Sequence, residues 1–86
     1  MKVSQFHVKN QFTIESSEGE MFQSYSSPIA LVDNEGKVHL SEHYDYSATT
    51  MKYLKKFLGH GVAETRAKIE SGEYALDLSL QGKVSN

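Results

Sequence analysis

The chain has no cysteine, no tryptophan and a single proline, Pro28. Without cysteine it has neither a disulfide framework nor a thiolate metal site, a composition that fits a reducing cytosol. At 86 residues it lies near the lower limit for a self-sufficient core. Stability must then come from packing, from a non-thiolate metal or from self-association. Long hydrophobic runs are also missing: the longest, Ile29 to Val32, is far too short to span a bilayer. The opening MKVSQFHV carries no apolar stretch of the secretory kind. The expectation is a single cytoplasmic domain over residues 1–80 with a frayed tail at 81–86.

Charge of one sign is scarce in each half. Residues 1–50 hold three lysines (Lys2, Lys9, Lys37) against seven carboxylates (Glu15, Glu18, Glu20, Asp33, Glu35, Glu42, Asp45). Residues 51–86 reverse the balance, with Lys52, Lys55, Lys56, Arg66, Lys68 and Lys83 against Glu64, Glu70, Glu73 and Asp77. An acidic half and a mildly basic half suit steering towards a charged partner. The net charge of −2 argues against a generic nucleic-acid binder.

The first forty residues carry period-two hydrophobicity. Phe6 and Val8 alternate with polar neighbours, as do Phe12 and Ile14 after a break at Lys9-Asn10-Gln11. Ser17-Glu18-Gly19 predicts a turn, and Glu20 to Tyr25 a third strand that Ser26-Ser27-Pro28 interrupts, because proline cannot donate to a ladder. Ile29 to Val32 predicts a short buried strand, and Asp33-Asn34-Glu35-Gly36 a hairpin turn. Val38 and Leu40 share one face of the returning strand, which puts His39 on the other. From Ser47 the period changes, and Met51, Leu54, Phe57 and Leu58 recur at helical spacing. Ser47 or Thr49 suits the N-cap, and Gly59 the left-handed stop. A second helix should present Val62, Arg66 and Ile69 on one face and end at Gly72. Tyr74, Leu76, Leu78 and Leu80 alternate as a last strand. The expected fold is α+β: an antiparallel β-meander of four to five strands, two helices and a closing β-strand.

Four side-chain groups in Lys37–His60 and its surroundings carry possible chemistry. His39, His43 and Asp45, with Glu42 beside them and His60 or His7 in support, are donors of the kind zinc takes without cysteine. In a continuous strand His39 and His43 would lie roughly 13 Å apart, so one ion would need a sharp turn at Ser41-Glu42. His43, Asp45 and Ser47 or Thr50 are the types found in a catalytic triad, and equally those found around helix caps. No nucleophile elbow, glycine-rich phosphate loop or His-Glu-x-x-His helix is present, and a chain this small has little room for a substrate pocket, so no catalysis is expected. Lys52, Lys55 and Lys56 with Tyr53 form a basic patch, which is also what the solvated face of an amphipathic helix presents. Glu42, Tyr44, Asp45, Tyr46 and Tyr53 are the candidate protein-binding residues, since tyrosine joins a large rigid ring to a hydrogen bond. An edge strand such as Val3 to Val8 could pair two copies as a homodimer.

The segments Ser24-Tyr25-Ser26-Ser27-Pro28-Ile29-Ala30, Gly36-Lys37-Val38 to Leu40, and Tyr44-Asp45-Tyr46-Ser47 with Thr49-Thr50, Lys52-Tyr53-Leu54 and Phe57-Leu58 form a recognisable pattern. Over residues 20–78 it resembles an uncharacterised family of small domains found in phages and mobile elements of Gram-positive bacteria. That family has a Tyr-Trp-Asp-Tyr-Ser turn, a Thr-Thr helix start and a Phe-Leu-Gly helix end. This chain departs from it at His43-Tyr44-Asp45, which lacks the tryptophan, and at His39, where an aromatic is common. The resemblance implies a bacterial host cell and a protein of the anti-CRISPR kind, which binds and inhibits a defence nuclease without catalysis. An acidic half is compatible with a basic nucleic-acid channel. The alternatives are a His/carboxylate metal-binding regulator, with zinc as its possible cofactor, and a nucleic-acid-binding accessory protein.

Overall fold

The computed structural model describes residues 2–45 and 47–78. Six strands and two helices follow one another as β1 (Lys2–Phe6), β2 (Val8–Ser16), β3 (Gly19–Ser24), β4 (Ser27–Asp33), β5 (Val38–Ser41), α1 (Ala48–Leu58), α2 (Val62–Glu70) and β6 (Tyr74–Leu78). All strands share one sheet in the order β1-β2-β3-β4-β5-β6. The first five pair antiparallel, as short turns require, and β6 joins β5 in parallel after both helices. The fold is α+β as expected, but the sheet has six strands rather than four to five, because the five-stranded meander is joined at the β5 edge by the closing strand. The expected tail at 81–86 lies outside the described residues.

Local chemistry places the breaks. The first turn falls at His7 (φ 70°), and the break expected at Lys9-Asn10-Gln11 is an irregularity within β2, where Asn10 takes φ 72° and the β1–β2 register skips from Phe12 to Val8. The β3–β4 turn is Tyr25-Ser26, and Pro28 lies inside β4 rather than before it. A register shift between Phe22 and Gln23 accommodates Pro28, and β5 pairs only with Ala30 to Val32, so no β5 partner is denied a donor. The same bulge lets Ile29 and Ala30, consecutive in sequence, both join the core.

Alternation then sorts the sheet into two faces. Phe22, Ala30, Val38 and Leu40 meet Tyr53 and Leu54 of α1, with Phe57, Leu58, Val62, Ile69 and Tyr74 at the margin. Phe6, Phe22 and Phe57 form a ring cluster with centroids 5.6 to 6.0 Å apart. Fully burying Phe22, Ile29 or Leu40 contributes about 1.5–3 kcal/mol each. On the other face Met21 and Leu31 form a smaller cluster with Ile14.

Helix α1 begins and ends where its sequence dictates. The Ser47 hydroxyl accepts from the Thr50 amide at 3.1 Å, and Gly59 closes the helix at φ 88°. Thr50 is itself buried and donates to the Ser24 hydroxyl at 3.2 Å, so the cap also ties α1 to β3. In α2 the inward residue is Thr65, not Arg66, because the Thr65 hydroxyl donates to the Gly61 carbonyl at 3.1 Å while Arg66 stays exposed. No helix among the described residues is long and apolar enough to cross a membrane.

Gly19 opens β3 at φ 134°, a backbone conformation that side-chain-bearing residues rarely adopt, and a Cβ there would fall on the Val32 carbonyl oxygen of the next strand. Gly19→Ala should therefore lower the unfolding free energy by more than about 1 kcal/mol in urea denaturation, whereas a neutral result would refute this backbone contact.

Candidate functional site

Because Val38 and Leu40 turn into the core, His39 between them must face the uncovered side of the sheet. Strand register places it in a row with Ile14, Met21, Leu31 and Ala75. At the end of the row lies an open hollow of about 400 Å³, with Leu31 and His39 beside Asp33 and Asp77, and Glu18, Asn34 and Glu35 contributed by the two turns. Asn34 donates to the Ser17 carbonyl at 2.6 Å and so holds those turns together.

The His39 ring bridges two carboxylates. Nε2 lies 2.8 Å from Asp33 Oδ2 and Nδ1 lies 2.9 Å from Asp77 Oδ1. A carboxylate only accepts, so both contacts are hydrogen bonds only if both ring nitrogens carry a proton. The Asp33 hydrogen bond accordingly lifts the His39 pKa above its ordinary 6.5, with Asp77 adding to the rise against partial burial. The Asp33 carboxyl moves the other way, below its ordinary 3.8, through His39 first and the Lys37 amide second. Its second oxygen, Oδ1, accepts from the amides of Glu35 and Lys37, both at 2.9 Å, and shapes the β4–β5 turn.

The remaining candidates are dispersed. The exposed His43 ring lies 3.8 Å from Glu42, and Asp45 pairs with Arg66 at 3.1 Å. His39, His43 and Asp45 thus face different partners, and among the described residues no group of three or more His, Asp or Glu side chains is arranged to hold a metal ion. The candidate zinc donors His39 and His43 are separated because β5 aims His39 at the hollow while the chain turns away after Ser41. Ser47 and Thr50 are bonded to each other in the helix cap, and Asp45 is directed to Arg66, so the triad geometry is not assembled either.

Tyr44 and Tyr53, expected at an interface, are each only 8% exposed and belong to the core. Of the five candidate binding residues Glu42 is exposed and Asp45 half-buried, while Tyr46 lies outside the described residues. His60 is structural: its Nε2 lies 2.7 Å from the Tyr74 hydroxyl, its Nδ1 3.2 Å from Thr65 Oγ1, and its ring stacks on Tyr74. His7 packs against Phe6 and Tyr53. Lys52, Lys55 and Lys56 line a shallow hollow with Gly59, and Lys52 lies over the Tyr53 ring at 5.4 Å.

Sequence reasoning missed Asp33 and Asp77 as partners of His39. Asp33 reads as a turn residue and Asp77 as the polar half of an alternating strand. The one available signal was parity, which puts His39 on the face away from the core. Nothing local links it to a carboxylate 38 residues away.

A six-stranded sheet with a helical layer on one face and a carboxylate–imidazole–carboxylate bridge on the other defines a small α+β domain. The chain belongs to DUF8033, a family of unknown function whose profile matches residues 1–73. The match takes in Asp33 and His39 and stops short of Asp77. Comparison with curated proteins and with solved structures finds no significant match.

If Tyr53 is core and Glu42 is surface, their truncations should differ sharply. Tyr53→Ala should cost about 3–5 kcal/mol in chemical denaturation, and Glu42→Ala should stay within about 0.5 kcal/mol of the parent. Equal effects would overturn the placement.

Proposed function

We propose that this chain is a non-catalytic binding protein whose acidic hollow docks on a basic surface of a protein partner. Following its resemblance to phage and mobile-element domains, that surface is the nucleic-acid channel of a bacterial defence nuclease, of the CRISPR effector type. The observation that carries the reading is the lining of the hollow. Glu18, Asp33, Glu35 and Asp77 surround one imidazole, and Lys52, Lys55 and Lys56 lie on α1, in the layer packed on the opposite face. Such a two-sided charge distribution steers a domain onto a positive channel with the hollow leading. The contact set moves accordingly, away from the buried Tyr44 and Tyr53 and towards the turn residues that flank His39.

The test is co-elution of the purified chain with candidate effector nucleases, together with protection of their target DNA from cleavage. Binding should weaken as ionic strength rises. The triple variant Glu18→Gln, Glu35→Gln, Asp77→Asn should lose about tenfold in affinity, at roughly 0.5 kcal/mol per exposed charge. Failure to bind any such effector rejects the proposal, and unchanged affinity of the triple variant rejects the hollow as its surface. Salt-dependent capture of DNA by the chain alone, abolished by neutralising Lys52, Lys55 and Lys56, would favour the nucleic-acid-binding alternative instead.

A further inference from the structure

The closing strand is held unevenly along its length. Its first residue, Tyr74, packs at the core margin, bonds to His60 and lies under Lys68 at 5.6 Å, while the neighbouring Glu73 pairs with Lys68 at 3.0 Å. Beyond that the attachment thins. Leu76 is 48% exposed, and the β5–β6 ladder shifts register between His39 and Ser41. At the level of that irregularity the His39–Asp77 contact spans the two strands.

We propose that His39 is a proton-operated clasp for the end of β6: the doubly protonated ring bridges Asp33 and Asp77, and loss of one proton releases the Asp77 side. The direction follows from how each carboxylate is fixed. Asp33 is anchored by two backbone amides and stays in place, so the single remaining N–H goes to it. Asp77 has a side chain 60% exposed to water and gains solvation on leaving. The other titratable groups in the hollow are Glu18 on the β2–β3 turn and Glu35 on the β4–β5 turn. Both are acidic and favour the charged ring, and α1 and α2 lie against the opposite face.

The folded pKa of His39 is raised, so the contribution of the clasp is complete below the ordinary value of 6.5 and is lost as pH climbs through the higher folded value. The folded pKa of Asp33 is lowered, so its share is present above 3.8 and is lost as pH falls through the lower folded value. The clasp is closed between those two titrations.

The experiment combines an NMR titration of the imidazole nitrogens with amide hydrogen exchange, corrected for the intrinsic rate at each pH. His39 should titrate above 6.5. Across that titration the protection of residues 76–78 should fall, about tenfold for each unit by which the His39 pKa of the parent exceeds that of Asp77→Ala. Protection in β3 and β4 should hold. Asp77→Ala should leave residues 76–78 weakly protected and flat with pH. Titration of His39 at or below 6.5, pH-independent protection of residues 76–78 in the parent protein, or the same fall in Asp77→Ala would each overturn the clasp.

Discussion

The alternation of β5 is the constraint on which the site depends. Val38 and Leu40 are drawn into the core beside Phe22, Tyr53 and Leu54, and moving either one out would expose apolar surface and open a cavity. With both neighbours committed inward, His39 has no choice of face. The same rule runs across the sheet, aligning Ile14, Met21 and Leu31 with His39 on the side away from the helices. A titratable ring is thereby held at a fixed place by apolar packing it does not share.

Asp33 couples this placement to the backbone. One carboxylate oxygen organises the β4–β5 turn through two amides, and the other meets His39. The turn and the ring therefore stabilise the same ionised carboxylate. The charge-assisted bond is stronger than a neutral one, and pre-organisation by the turn means little conformational entropy is lost in forming it. Asp77 contributes from the far edge, at the end of a strand that arrives only after two helices. The hollow is thus built from residues between 18 and 39 together with the last strand, and its lining is mostly acidic.

Much of the fold was legible because its signals are local. The change of period at Ser47, the Ser47 cap and the Gly59 stop each depend on a few neighbouring residues, and each is found where the pattern puts it. The Asp33–Gly36 turn and the closing strand from Tyr74 were equally readable. Tyr53 was not. It stands among lysines on the helix, and only the approach of α1 to the sheet turns its ring inward. Arg66 and Thr65 exchange roles for a similar reason, since a hydroxyl that bonds the preceding turn is easier to bury than a guanidinium. The histidine cluster read from His39 to Asp45 came apart because proximity in sequence at a strand end is not proximity in space.

The sequence by itself determined the element types, the caps of α1, the absence of disulfide chemistry and the face on which His39 lies. These follow from periodicity, from the backbone demands of glycine and proline, and from side chains that bond within a few residues. Only the tertiary structure decided that β6 joins β5 in parallel, that Tyr44 and Tyr53 are core, and that Asp33 and Asp77 converge on one imidazole. Those outcomes depend on contacts between residues far apart in the chain, whose energies appear only when the helices close on the sheet and bring the last strand to its edge.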